Sequence, residues 1–144
     1  MVSPERRREV SAFISGLQTW AAARDDVVAA AIVGSWARGA AREDSDVDVV
    51  LLTEDVSAFE ADGWIAELAP AAELVRTAEW GAIAERRLCL PSGLEIEVGI
   101  GHPSWARAAP VDPGTRAVVR DGPRPVFDPR GLLAELTARC SFES

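Results

Sequence analysis

The spacing of apolar residues changes several times along the chain, and each change marks an element. Val10, Phe13, Ile14, Leu17 and Trp20 recur at helical spacing. Ahead of them stand Ser3, suited to an N-cap, and Pro4, suited to a first turn, so a helix is predicted over about 4–23. "VVAAAIVG", Val27 to Gly34, is an unbroken apolar run ended by glycine and reads as a buried strand. "SWARGAARED" then reads as a turn region with room for one helical turn from Ser35. "DVDVVLL", Asp46 to Leu52, alternates: Asp46, Asp48 and Val50 share one face of a strand, and Val47, Val49 and Leu51 share the other. Phe59, Trp64, Ile65 and Leu68 predict a second helix over 56–69, stopped by Pro70. A strand is expected from Ala72 to Trp80. Ala82–Leu90 and Leu94–Ile100 flank "PSG" as an antiparallel hairpin. The Pro/Gly-rich stretch that follows has short strand candidates at Ala117–Arg120 and Val126–Phe127, and "RGLLAELTARC" suits a terminal helix. The pattern lacks the regular alternation of a doubly wound sheet. It predicts one α+β domain over 1–144, a mixed β-sheet flanked by helices, with its core at about 27–100, the N-terminal helix at 4–23 and a C-terminal segment and helix at 101–144.

Composition narrows the function classes. The 144 residues are 48% hydrophobic, enough for one buried core. The formal net charge of −8 opposes general binding to a phosphate backbone and favours a cationic ligand, a basic partner, or cations at a local acidic site. All 15 basic residues are arginine, so lysine chemistry is excluded and any cationic phosphate contact is a guanidinium. Cys89 and Cys140 form no CxxC, and with a single histidine a structural zinc site is not expected. No secretory leader and no membrane-length apolar run is seen, which gives a cytoplasmic expectation with reduced thiols.

The chemistry concentrates in "GSWARGAAREDSDVDVVLL", Gly34 to Leu52. Asp46 and Asp48 project from one strand face with backbones about 6.5 to 7 Å apart. Two like charges there raise each other's pKa unless a cation lies between them. Carboxylate oxygens suit a hard divalent ion, and Mg2+ commonly takes one or two carboxylates together with substrate phosphates. Gly34 lets a phosphate approach the backbone, and Ser35 adds a hydroxyl. Asp-x-Asp alone, or Gly-Ser alone, is more often a solvated turn. The conjunction of apolar strand, Gly-Ser, ten intervening residues, Asp-Val-Asp and a second apolar strand is far more specific.

This stretch resembles the signature of the nucleotidyltransferase superfamily with a DNA-polymerase-β-like palm. The words "ARG" and "SDVD" are close to those of small bacterial nucleotidyltransferases, among them antibiotic adenylyltransferases and minimal antitoxins that accompany HEPN toxins. The resemblance implies a DNA polymerase β-like fold over roughly Val27 to Ile100, and transfer of a nucleoside monophosphate from ATP, with two Mg2+ ions, to an acceptor hydroxyl. It implies metal binding and catalysis by Asp46, Asp48 and a third carboxylate. In "GLEIEVGI" both Glu95 and Glu97 face one side, and Glu97 has the deeper apolar flanks. The nucleotide would be held by Gly34, Ser35, Arg38 and Ser45. Ser45 is also placed to fix the turn before Asp46.

Other residues stay open. Arg42 has a solvated surface role as its simplest account. Arg86 and Arg87 alternate faces, and the pattern does not say which one reaches the acids. His102 lies in a loop without polar partners in sequence. Trp80 and Trp105 suit core packing better than base stacking. The acceptor, a small molecule or a protein and cationic by charge balance, is undetermined. Many antibiotic-modifying members of the resembled family carry a further helical domain that helps bind the acceptor; with about 44 residues after Ile100, the expectation is either an acceptor site in the Pro/Gly-rich tail and a homodimer partner, or an acceptor that is another protein. An adenylyltransferase antitoxin and an inactive nucleotide- or partner-binding member are the alternatives. An RNA-tailing polymerase fits the negative charge poorly.

Overall fold

A computed structural model describes residues 2–80, 83–104, 124–135 and 138. Helix α1 runs Pro4–Ala23, as the apolar spacing predicts, and Ser3 caps it: its hydroxyl accepts from the Arg6 amide at 3.1 Å. Val10, Phe13, Leu17 and Trp20 form its buried stripe. Strands β1 (Val27–Val33), β2 (Val47–Thr53), β3 (Glu73–Trp80), β4 (Ile83–Cys89), β5 (Glu95–Gly101) and β6 (Arg124–Phe127) form one mixed sheet in the order β3-β4-β5-β2-β1-β6. β2 and β5 are parallel, and the other neighbouring pairs are antiparallel.

One face of the sheet packs on α1 and the 56–68 region. Val47, Val49 and Leu51 of β2 and Ile96, Val98 and Ile100 of β5 are all buried in that core. The continuous helix expected over 56–69 is instead a 3-10 turn, Val56–Phe59, and a short helix α2, Gly63–Leu68. The break has an aromatic cause. The Trp64 indole N–H donates to the Phe59 carbonyl at 3.2 Å, and Trp20, Phe59 and Trp64 pack edge-on or tilted with centroids 5.5–6.3 Å apart. This packing orients the two pieces separately.

Among the described residues, the opposite face is covered only at one end. Residues 132–135 are helical, and Leu132 and Leu133 pack on Val28, Ala29, Ala31 and Leu52. Both Asp128 oxygens accept from the amides of Leu133 and Ala134 at 3.2 Å and start that helix. Val126 and Phe127 lie in β6, paired with β1. The strand expected at Ala117–Arg120, Trp105, the Trp80 side chain and Cys140 lie outside the described residues. No helix of the described residues is long and apolar enough to cross a membrane.

Candidate active site

The acids come together through strand register. Asp48 on β2 pairs with Glu97 on β5, and Glu97 pairs with Arg87 on β4, which pairs with Arg76 on β3. In-register neighbours project to the same side, so these four side chains form a row across the face opposite the α1 core. Asp46 stands two residues before Asp48, just ahead of the strand, and Glu95 two residues before Glu97 at the start of β5. The hairpin that presents Glu95 and Glu97 closes as expected at "PSG", with Gly93 at φ +92 and the Leu90 amide donating to the Leu94 carbonyl at 2.8 Å.

Gly34 ends β1 with φ +73, a region that disfavours any side chain. A Cβ at this position would also collide with the Asp48 carboxylate. The glycine therefore leaves room for the acid. The segment after it is a series of turns and forms no regular helix. The amides of Ala37 and Arg38 both donate to the Gly34 carbonyl, at 3.1 and 3.2 Å, and the Ala40 amide to the Ser35 carbonyl at 2.9 Å. A helix N-terminus is thus absent behind Ser35, and a phosphate there would meet turn amides. Ser45 ties the turn: its hydroxyl accepts from the Arg42 amide at 2.8 Å, and its carbonyl accepts from the Trp36 indole at 3.3 Å. Arg38 and Arg42 are exposed on this turn segment.

Arg87 and not Arg86 reaches the acids. Its Nη1 donates to Asp46 at 2.8 Å and to Glu95 at 3.3 Å, and its Nη2 donates to Glu97. Arg76 lies 3.8 Å from Glu97 and 3.9 Å from Glu85. Arg86 points to the other face, is buried, and pairs with Asp62 at 3.2 Å. Sequence reasoning missed Arg76 and Glu85. Glu85 lies two residues from Arg87 on β4, so it shares that face, and its parity was the available signal.

Electrostatically the cluster is short of positive charge. Burial, then the neighbouring Glu97 and Asp46 carboxylates, push Asp48 up to about 6, with Arg87 pulling the other way. Burial and Glu85 raise Glu97 against the pull of Arg87 and Arg76. Arg87 is held charged above the usual arginine range, chiefly by its hydrogen bond to Asp46. Among the described residues no three Asp, Glu, His or Cys side chains are arranged to enclose an ion as they stand. Arg87 is paired into that space. The donor set itself, hard carboxylate oxygens in register with an excess of negative charge, suits a divalent cation. A cavity of about 360 Å3 adjoins the row; four acids line it, Glu43, Asp44, Asp46 and Glu95, with one arginine, Arg6. His102 is exposed and accepts through Nδ1 from the Ser104 amide at 3.1 Å, away from the row.

Residues 17–86 match the family model of a nucleotidyltransferase domain, a stretch that includes Gly34, Ser35, Asp46 and Asp48 and ends before Glu97. No curated protein matches the sequence. Among solved structures, a cytoplasmic RNA terminal U-transferase superposes with TM-score 0.53 at 22% identity, over 69% of this chain and 30% of that one. The Cid1 poly(U) polymerase superposes with TM-score 0.54 at 16% identity, over 83% of this chain and 35% of that one. This chain thus spans about a third of the length of these structures. With the Gly-Ser turn, the paired aspartates and the mixed sheet in place, residues 17–86 resemble a nucleotidyltransferase domain and the chain has the DNA-polymerase-β-like nucleotidyltransferase fold.

Proposed function

We propose that this chain transfers a nucleoside monophosphate from a nucleoside triphosphate, ATP in our reading, to an acceptor hydroxyl. The observation that carries the proposal is the register of Asp48 beside Glu97 on parallel strands, with Asp46 two residues ahead and the Gly34–Ser35 turn against Asp48. Asp46, Asp48 and Glu97 would hold two Mg2+ ions, which supply Lewis-acid activation of the acceptor oxygen and charge neutralisation on the triphosphate. Ser35 and the turn amides orient the β- and γ-phosphates, and Arg38 offers them a guanidinium. Gly34 keeps the backbone out of the way of Asp48. The raised Asp48 supports this reading, because an excess of carboxylate charge favours a bound cation.

The acidic cavity beside Asp46 and the net charge of −8 favour a cationic acceptor, either an amine-rich small molecule or a basic protein such as a HEPN toxin. The RNA acceptors of the terminal U-transferase and the poly(U) polymerase do not carry over in this proposal, since the site-facing surface is acidic. A second reading, a binding module without turnover, is favoured by one observation: Arg87 is ion-paired among the acids.

The test is titration with a non-hydrolysable ATP analogue, with and without Mg2+, for the natural chain and for Asp46→Asn/Asp48→Asn. Metal-dependent binding lost by about a hundredfold in the double variant is the expected result. No binding by the natural chain at millimolar analogue overturns the proposal. Turnover with a panel of aminoglycosides, UTP and basic proteins then separates acceptor, donor and the binding-module reading.

A further inference from the structure

Arg87 makes contacts that a phosphate-binding arginine would not be expected to make before substrate arrives. Its guanidinium spans three carboxylates from two strands: Asp46 at the head of β2, and Glu95 and Glu97 on β5. These include two of the three acids assigned to the metals, and the row also contains Asp48, which Arg87 influences through space. The side chain is only 19% exposed, so its position is set by packing and pairing. It is not needed to tie the hairpin together, because β4 and β5 already pair over six registered positions, Ala84↔Ile100 to Cys89↔Glu95. A second arginine, Arg76, stands 3.8 Å from the far oxygen of Glu97 and keeps partial compensation there.

We infer that Arg87 is a resident counter-cation that a divalent metal must displace: it neutralises Asp46 and Glu97 while the site is empty of metal and lowers the apparent metal affinity. A metal on the Asp46 and Glu97 oxygens would compete with the Arg87 guanidinium for the same lone pairs, and the two positive charges would repel each other in a partly desolvated site. Metal entry and withdrawal of the Arg87 fork are therefore one exchange. The inference deepens the nucleotidyltransferase reading and rests on it only for the identity of the incoming cation. No nucleotide and no acceptor take part in the exchange itself.

The experiment is titration with Mn2+ alone, following free Mn2+ by electron paramagnetic resonance, on the natural chain, Arg87→Gln and Arg87→Lys. Arg87→Gln is expected to bind Mn2+ about tenfold more tightly than the natural chain, because the competing charge is gone. Arg87→Lys, which keeps a charge but cannot fork across Asp46 and Glu97, is expected to fall between them. A second readout is thermal unfolding: Mn2+ should raise the midpoint of Arg87→Gln by more than that of the natural chain. If Arg87→Gln does not fold without Mn2+, the Arg87→Lys titration decides between exchange and structural tie. If Gln and Lys variants bind Mn2+ no more tightly than the natural chain, Arg87 is a structural tie and the inference is overturned. Failure of the nucleotidyltransferase reading shows instead as missing nucleotide-analogue binding, and a gain in Mn2+ affinity can be observed regardless of it.

Discussion

The two faces of the sheet, carried by the same strands, follow opposite rules. On β2, Val47 and Leu51 are fully buried and Val49 nearly so, while Asp48 between them looks to the other side. On β4, Arg86 reaches across the core side to Asp62 and Arg87 reaches the acids. Among the described residues, the core face sets apolar groups against apolar groups, and its one buried arginine has a carboxylate. The acid row on the other face gathers five carboxylates, Asp46, Asp48, Glu85, Glu95 and Glu97, against Arg87 and Arg76 among the described residues. Stability is concentrated on one side, and a charge excess available for binding on the other.

Substitutions can separate these roles. Leu51→Ala should cost about 3 kcal/mol of unfolding free energy by leaving a cavity in the core, read by denaturant titration. Nucleotide-analogue affinity of the molecules that remain folded should hardly move. Gly34→Ala lies at the boundary between the faces. It forces a side chain into the left-handed region and against Asp48, and should cost about 2 kcal/mol while also weakening metal-dependent binding. Loss of stability without loss of binding would separate the glycine from the site.

The smallest effect has the opposite sign. Asp48 is raised from its ordinary 3.8 to about 6 in the folded protein. Between those values the folded state binds more protons than the unfolded chain, so this group's contribution falls as pH rises through the window and is most unfavourable above pH 6. Asp48→Asn removes that penalty. The variant should be more stable than the natural chain by about 1 kcal/mol at pH 8, after allowance for solvent screening, with the difference vanishing below pH 4. A variant equally stable at both pH values would mean that the acid face carries no charge excess.

Much of this was legible from local patterns. Period two in "DVDVVLL" assigned Asp46 and Asp48 to one face, and the same parity put Glu95 and Glu97 together on theirs. Ser3-Pro4 marked the first helix to the residue. The hairpin held more than was drawn from it: a turn centred on Ser92 sets 87 opposite 97, which points to Arg87 over Arg86. The 56–69 helix was misjudged because apolar spacing cannot register that an indole N–H takes a backbone carbonyl at the break.

Alternation and turn chemistry, acting over a few residues, determined by themselves which side chains share a face and where β1 ends. Tertiary structure decided that β5 lies parallel beside β2, so that Glu97 meets Asp48 across 49 positions of chain. It also decided that Arg87 comes to rest among the acids. Strand order and register between distant segments follow from burying one face of every strand at once, and no local stretch contains that condition.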